Sequence, residues 1–376
     1  MAGRGAARRR GMTPEELKRR AIAHTLFPRT DLIAAIERLG YVQADPIRAP
    51  ARAQDLILFQ RVQGYRAGGL EARYADLPVF EDSIFNYGFF PARVREALLP
   101  RALSPHWVAY MQSHAPLRRR VLSYLKVQGE AHPRDIEAAL NAGRRVNGWG
   151  GTSSAATLML EGLHREGKVD VVRRDAGIRV YGRAPPRKAA MPATHRASAL
   201  IRLMVNLYAP CPEGILLTMA RSMQRTRPAA DFDACYRRMV KRGELVTQRV
   251  DRTLYIWPHD GPADHAPHEG VRFLAPFDPL VWDRKRFAHL WGWDYRFEAY
   301  TPEAKRKMGY YALPLLWRED VVGWVNARVE GRRVIAQPGY VQPVARAEKA
   351  AFKRAFDEEL ERFAAFLLPE QAGTKL

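Results

Sequence analysis

The sequence predicts an α+β fold: tandem winged-helix (helix-turn-helix) units followed by a C-terminal mixed β/helix domain. Three observations predict it. Residues 117–183 and 195–257 repeat one order of helix, helix, helix and β-hairpin. Two Pro-rich polar stretches, GRAPPRKAAMPAT (182–194) and HDGPADHAPHEG (259–270), punctuate the chain. Beyond the second, β-rich runs and one long helix replace the repeat. A chain of 376 residues exceeds what a single core usually organises. The divisions that follow are 1–115, an N-terminal helical, winged-helix-like unit whose wing is obscure; 116–190 and 194–260, the two repeats, making three tandem units with the first; and 268–376, the C-terminal domain.

In the N-terminal unit one helix opens at Thr13 and Pro14 and a second at Thr30 or Asp31. Leu32, Ile33, Ile36 and Leu39 give the second an apolar face, Thr30 can cap its start, and Gly40 can close it. The chain then extends from Tyr41 to Asp45, and a third helix is expected from Pro50 through Phe59, because proline suits a first helical position. The first repeat reads as LRRRVLSYLKVQG, a short helix after His132 and Pro133, and a long helix from Thr152. It ends in KVDVVRRDAGIRVYGR, a hairpin turning at Asp175-Ala176-Gly177. The second repeat runs HRASALIRLMVNLY, PEGILLTMARS, FDACYRRMVKRG and ELVTQRVDRTLYIW. Gly167 and Gly243 end the third helix of each repeat. Strands at 310–316, 321–329 and 333–336 and a helix from about Glu348 to Leu368 complete the chain.

Charge narrows the partner. With 61 Lys plus Arg against 40 Asp plus Glu, the formal net charge is +21, much of it arginine, whose planar fork suits phosphate oxygens and base edges. Double-stranded DNA is the expected partner, with no membrane association, since no apolar run is long enough to span a bilayer. Two cysteines, Cys211 and Cys235, make no disulfide framework and no Cys-rich zinc site. The basic start MAGRGAARRRGM runs into polar TPEELKRR rather than an apolar stretch, so a cytoplasmic, nucleoid-associated protein is expected. His259, Asp260, Asp264, His265, His268 and Glu269 lie in a Pro-rich linker without the rigid spacing of a metal site, so neither metal nor cofactor is expected.

The stretch GYVQADPIRAPARAQDL (40–56) is where a basic protein does something unexpected. A carboxylate gains nothing from facing phosphates. Pro46 biases Asp45 toward extended backbone, and in an extended segment residues two apart project to one side, so Gln43 and Asp45 are expected to point together. A carboxylate beside an amide can hold a water and accept its proton. The alternative is structural: an Asx turn at Asp45 and a backbone bond from Gln43. In NAGRRVNGWGGTSSA (141–155), Thr152 and Ser153 are expected at a helix start, whose free N–H groups bind phosphate, with Arg144 and Arg145 adding charge. Arg173, Arg174 and Arg249 sit on the two hairpins, which in winged helices commonly touch the duplex.

Three stretches carry a resemblance to a known family: YVQADPIRAPARAQDL (41–56), NGWGGTSSAATLMLEGLHREGKVDVVRRDAGIRVYGR (147–183) and FLAPFDPLVWDRKRFAHLWGWDYRFEAYTPEAKRKMGYYALPLL (273–316). The chain resembles the AlkZ/YcaQ-type DNA glycosylases, and Gln43-Ala44-Asp45 matches the Gln-x-Asp form of the YcaQ-like branch. FEDSIFNYGFF (80–90) departs from the family's Glu-Tyr-Trp-x-x-His-like element in holding no histidine. The resemblance implies tandem winged helices around a DNA channel, excision of N7-alkylated purines, and unhooking of interstrand crosslinks made through guanine N7. It implies Gln43 and Asp45 as the catalytic pair; Arg48 and Arg52, just beyond them, are expected as phosphate contacts. A monofunctional enzyme, monomeric on damaged duplex, is the expectation. The rival is a non-catalytic winged-helix regulator or damage sensor, which explains the charge and repeats but leaves Gln43 and Asp45 without a task.

Overall fold

The computed structural model describes residues 12–99, 101–141, 143–146, 152–186, 191–227, 231–262 and 269–369. Three successive stretches share one order: helix, two-residue strand, further helices, hairpin. The first comprises helix Leu32–Leu39, strand Val42–Gln43, helix Ala53–Phe59, short helical turns from Gly69 to Asp76, and the hairpin Val79–Ser83 with Tyr87–Pro91. The second comprises Ala115–Gln128, Glu130–Ala131, Pro133–Leu140, Ala155–Arg165, and the hairpin Val169–Asp175 with Ile178–Arg183. The third comprises Ala193–Leu207, Cys211–Pro212, Glu213–Thr226, Phe232–Lys241, and the hairpin Leu245–Val250 with Thr253–Pro258. In each, the isolated strand pairs antiparallel with the second hairpin strand, so that strand is central in a three-stranded sheet. The first of these hairpins is not among the sequence expectations.

Local chemistry sets the element ends. Asp31, rather than Thr30, caps the helix Leu32–Leu39, its carboxylate accepting from Ala34 N–H at 2.9 Å, and Gly40 closes it at φ 74°. The next helix starts at Ala53, not at Pro50, because Arg52 is still extended (φ −69°, ψ 154°) and Pro50 lies in the preceding turn. Thr152 and Ser153 do not open a helix: Thr152–Ser154 is a strand paired with Arg144–Val146, and Ser154 caps the helix that begins at Ala155. Gly167 and Gly243 adopt φ 66° and 72°, and the residue after each donates back into its helix, Lys168 to Leu163 and Glu244 to Met239.

The helix Pro14–Thr25 packs away from the first stretch. Its Leu17, Ala21 and Ile22 bury against Phe287, Leu290 and Tyr295, around the helix Arg284–Trp291. The C-terminal part is a four-stranded antiparallel sheet in sequence order, Val271–Phe273, Leu313–Trp317, Asp320–Glu330 and Arg333–Tyr340, covered by helix Lys349–Leu367. One apolar core runs from the first stretch into the second and the C-terminal sheet, and another joins the first hairpin to the third stretch. A fully buried ion pair ties the first stretch to the C-terminal part: Arg61 donates to both oxygens of Asp278, at 2.7 and 2.9 Å. No described helix is long and apolar enough to cross a membrane.

Candidate active site

Gln43 ends its strand opposite Gly88. The close approach needs a glycine, because a Cβ at Gly88 would lie 2.4 Å from the Val42 carbonyl oxygen. The Gln43 side chain is 5% exposed and its Oε1 accepts from Asn86 Nδ2 at 3.2 Å. It faces a narrow space shared with Tyr41, Ile57, Tyr208 and Phe277. Ala44 N–H still bonds Tyr87 O at 2.9 Å, after which the chain leaves the sheet.

Asp45 then turns the other way. Its Oδ1 accepts from Ile47 N–H at 2.9 Å, an Asx turn ahead of Pro46, and its own N–H is held by Gln54 Oε1 at 3.3 Å. The expected side-by-side pair is therefore not formed. The strand stops at Gln43, so the period-two alternation does not reach Asp45, and the two side chains line different cavities.

The Asp45 cavity, about 360 Å³, lies between the first two stretches of the fold. Pro46, Tyr87, Thr157, Glu161, Ile178 and Tyr181 contribute to its wall. Burial pushes the Asp45 carboxyl above its usual range, and the Ile47 N–H partly offsets this. No cation forms an ion pair with Asp45 among the described residues.

The arginines of the wall are already engaged. Arg52 pairs with Glu71. Arg174 donates to both oxygens of Glu81, at 2.8 and 2.5 Å, and to Gly177 O at 2.9 Å. Arg179 lies 3.9 Å above the Tyr87 ring and 3.8 Å from Glu81 Oε2. Glu81 is wholly buried beneath them.

The remaining expected contacts fall in different surroundings. Arg48 is exposed beside the Asp45 turn. Arg52 is tied into the wall. Arg174 is also turned inward, contrary to the expectation that it faces a duplex, because Glu81 below the hairpin captures its guanidinium. Arg173 stays outside, paired with Glu130 at 2.7 Å where both side chains are 45% exposed. Arg249 is exposed on the third hairpin and donates to Arg252 O at 3.1 Å. Arg144 and Arg145 occupy the strand that pairs with Ser153 and Ser154, so the two arginines and Thr152 and Ser153 belong to one small ribbon rather than to a helix start. Residues 147–151, the glycine-rich link of that ribbon, lie outside the described residues, as do Asp264, His265 and His268 of the linker. Among the described residues no cluster of three His, Cys, Asp or Glu could hold a metal ion.

Gln54, Glu161, Arg179 and Tyr181 belong to the site without a sequence signal of their own. Gln54 is the amide beside Asp45, 1% exposed, bridging the Asp45 N–H to Glu71 through its Nε2 at 3.1 Å. The others come from the second stretch and meet Asp45 only through packing. No histidine lies in the 80–90 stretch, but His164 of the second stretch sits behind Tyr87, ring centroids 6.4 Å apart, its pKa lowered by burial.

The fold is similar to that of Streptomyces sahachiroi DNA glycosylase AlkZ, with TM-score 0.59 at 15% sequence identity over 96% of this chain and 100% of that one. Residues 36–366, which contain the Asp45 cavity, match the family described as DNA glycosylase AlkZ-like, and the chain belongs to that family.

Proposed function

We propose that the protein is a monofunctional DNA glycosylase that hydrolyses the N-glycosidic bond of N7-alkylated purines and unhooks interstrand crosslinks made through guanine N7. Asp45 carries this reading: it is a partly buried carboxylate without an ion-pair partner among the described residues, facing a cavity in a strongly basic protein. An N7-alkylated purine is already cationic and leaves without protonation, so no strong general acid is needed. The residual task is to stabilise the cationic sugar and direct water at it, which a carboxylate does by charge and by accepting the water's proton. Gln54 holds the Asp45 backbone, and Gln43, whose amide is anchored by Asn86, is assigned to positioning the water once DNA is bound. No lysine lines the cavity among the described residues, which favours hydrolysis to an abasic site over a lysine-linked strand break.

We read the three stretches of shared topology as winged helices and the protein as a monomer on duplex DNA in the nucleoid. Arg48, Arg173 and Arg249 are the exposed phosphate contacts, and Arg144, Arg145, Thr152 and Ser153 of the ribbon are assigned the same role.

The test uses duplexes carrying one N7-methylguanine or one nitrogen-mustard-type interstrand crosslink, with alkaline cleavage revealing abasic sites. Wild type should leave abasic sites in both, freeing the base from the first and leaving the excised guanine tethered to the opposite strand in the second. Asp45→Asn should lose about 10²- to 10⁴-fold in rate while binding the duplex as wild type does. Gln43→Ala should lose less, because Gln43 does not share the Asp45 cavity in the free protein. Full activity in Asp45→Asn rejects the assignment.

A further inference from the structure

A chain with formal net charge +21 lines this cavity with carboxylates that have no cation of their own. Glu161 projects into it from the helix Ala155–Arg165, partly buried, with no hydrogen bond or ion pair among the described residues. Asp45 likewise has no ion pair among the described residues. Glu71 and Glu81, behind the wall, pair with its three guanidiniums, and with Asp45 and Glu161 added four carboxylates meet three guanidiniums, so the surroundings of the cavity lack the cationic excess of the chain as a whole. Flat, apolar surface from Tyr87, Tyr181, Ile178 and Pro46 completes the wall, and the Tyr87 hydroxyl is buried without a partner. A cavity of about 360 Å³ is within the small-ligand range.

We propose that this cavity receives the extruded base and that Glu161 makes it selective for a guanine carrying positive charge on its ring. The proposal rests on the reading of the protein as a glycosylase for cationic purines and names the residue that recognises the base. Two properties of the ligand fit one carboxylate. The N1–H and 2-amino groups of guanine are adjacent donors that a carboxylate accepts together, whereas adenine presents an acceptor at N1. A base alkylated at N7 also brings a cation to a site whose own cations are already compensated, which an undamaged base does not. Removal of Glu161 leaves no protein group unsatisfied, so its variants are expected to fold.

The experiment has two arms on the full-length protein. In saturation-transfer NMR, 7-methylguanosine, which is cationic because N9 carries the sugar, should bind in preference to both guanosine and adenosine; Glu161→Gln should abolish the preference and Glu161→Asp keep part of it. In single-turnover excision of 7-methylguanine from duplex, Glu161→Gln should lower the rate at subsaturating protein by about 10- to 100-fold, the loss of a charge-assisted hydrogen bond, with affinity for undamaged duplex unchanged. A Glu161→Gln protein that keeps the wild-type preference and rate overturns the proposal while leaving the glycosylase reading intact. If wild type releases no base, that reading fails and the NMR arm alone decides: a preference lost in Glu161→Gln supports the cation-selective cavity, and a preference retained in Glu161→Gln, or absent in wild type, overturns it.

Discussion

Burial holds the Asp45 carboxyl above its ordinary range, and this has opposite consequences for activity and for stability. Activity needs the carboxylate, so base release should fall as pH drops through the folded pKa, with its inflection above the value of about 4 found for a solvated aspartate. A pH–rate profile under single-turnover conditions checks this. Stability runs the other way. A carboxyl whose folded pKa is raised contributes stability that is fully present below its unfolded pKa and is lost as pH rises through the folded one. Asp45→Asn, uncharged at every pH, should therefore melt higher than wild type at pH 7 to 8, the difference closing toward pH 4, as scanning calorimetry would show. At this scale the motif was legible and its geometry was not. Gln43 and Asp45 stand out as a pair because a basic protein has no evident use for that carboxylate. Their divergence depends on where pairing with Tyr87–Pro91 ends, and nothing in residues 40–56 encodes that partner strand.

Among the elements, the second hairpin bears most directly on the cavity. Ala176 and Gly177 both have positive φ, 47° and 86°, the geometry of a tight two-residue turn whose sense matches the strand twist. A Cβ at Gly177 would sit 2.2 Å from Arg52 Nη2, so the glycine gives room to the guanidinium that Glu71 holds in the cavity wall. Gly177→Ala should cost about 1–2 kcal/mol from the left-handed backbone, seen as a lower denaturant midpoint. It should also slow excision more than an alanine at Gly243, where φ is likewise positive but no atom lies within 4 Å of the added methyl. The helix order and both repeated hairpins were legible from periodicity and turn residues. The misplaced helix start at Thr152 has a local cause: Thr, Ser and Ser are all capping residues, and only pairing with Arg144–Val146 leaves Ser154 as the cap. The first hairpin was obscured because Phe80, Phe89 and Phe90 face the core and read as an undifferentiated aromatic run.

Over the whole molecule, net charge set the expected partner but gave no account of what holds the cavity walls in register, since contacts between distant segments leave no local signature. Arg61 is the clearest case. It reads as one more arginine among many, yet it is 0% exposed. It donates to Thr25 O and Ile57 O at 2.7 and 2.9 Å as well as to the Asp278 carboxylate, joining the N-terminal helix, the helix Ala53–Phe59 that carries Gln54, and the C-terminal part. Asp278 in turn accepts from Leu280 N–H at 3.0 Å. Removing one member strands a buried charge. Asp278→Ala should therefore lower stability by about 3–5 kcal/mol, measured by denaturant unfolding. Removing both charges relieves that penalty, so Arg61→Met with Asp278→Leu should lose less than Asp278→Ala alone, limited by the carbonyls of Thr25 and Ile57 left without their donor. Because the pair braces the helix that holds the Asp45 backbone, excision by Asp278→Ala should also fall at temperatures where the protein is still folded. A single substitution no worse than the double would mean that the pair contributes no net coupling, and that the apolar cores alone keep the cavity walls together.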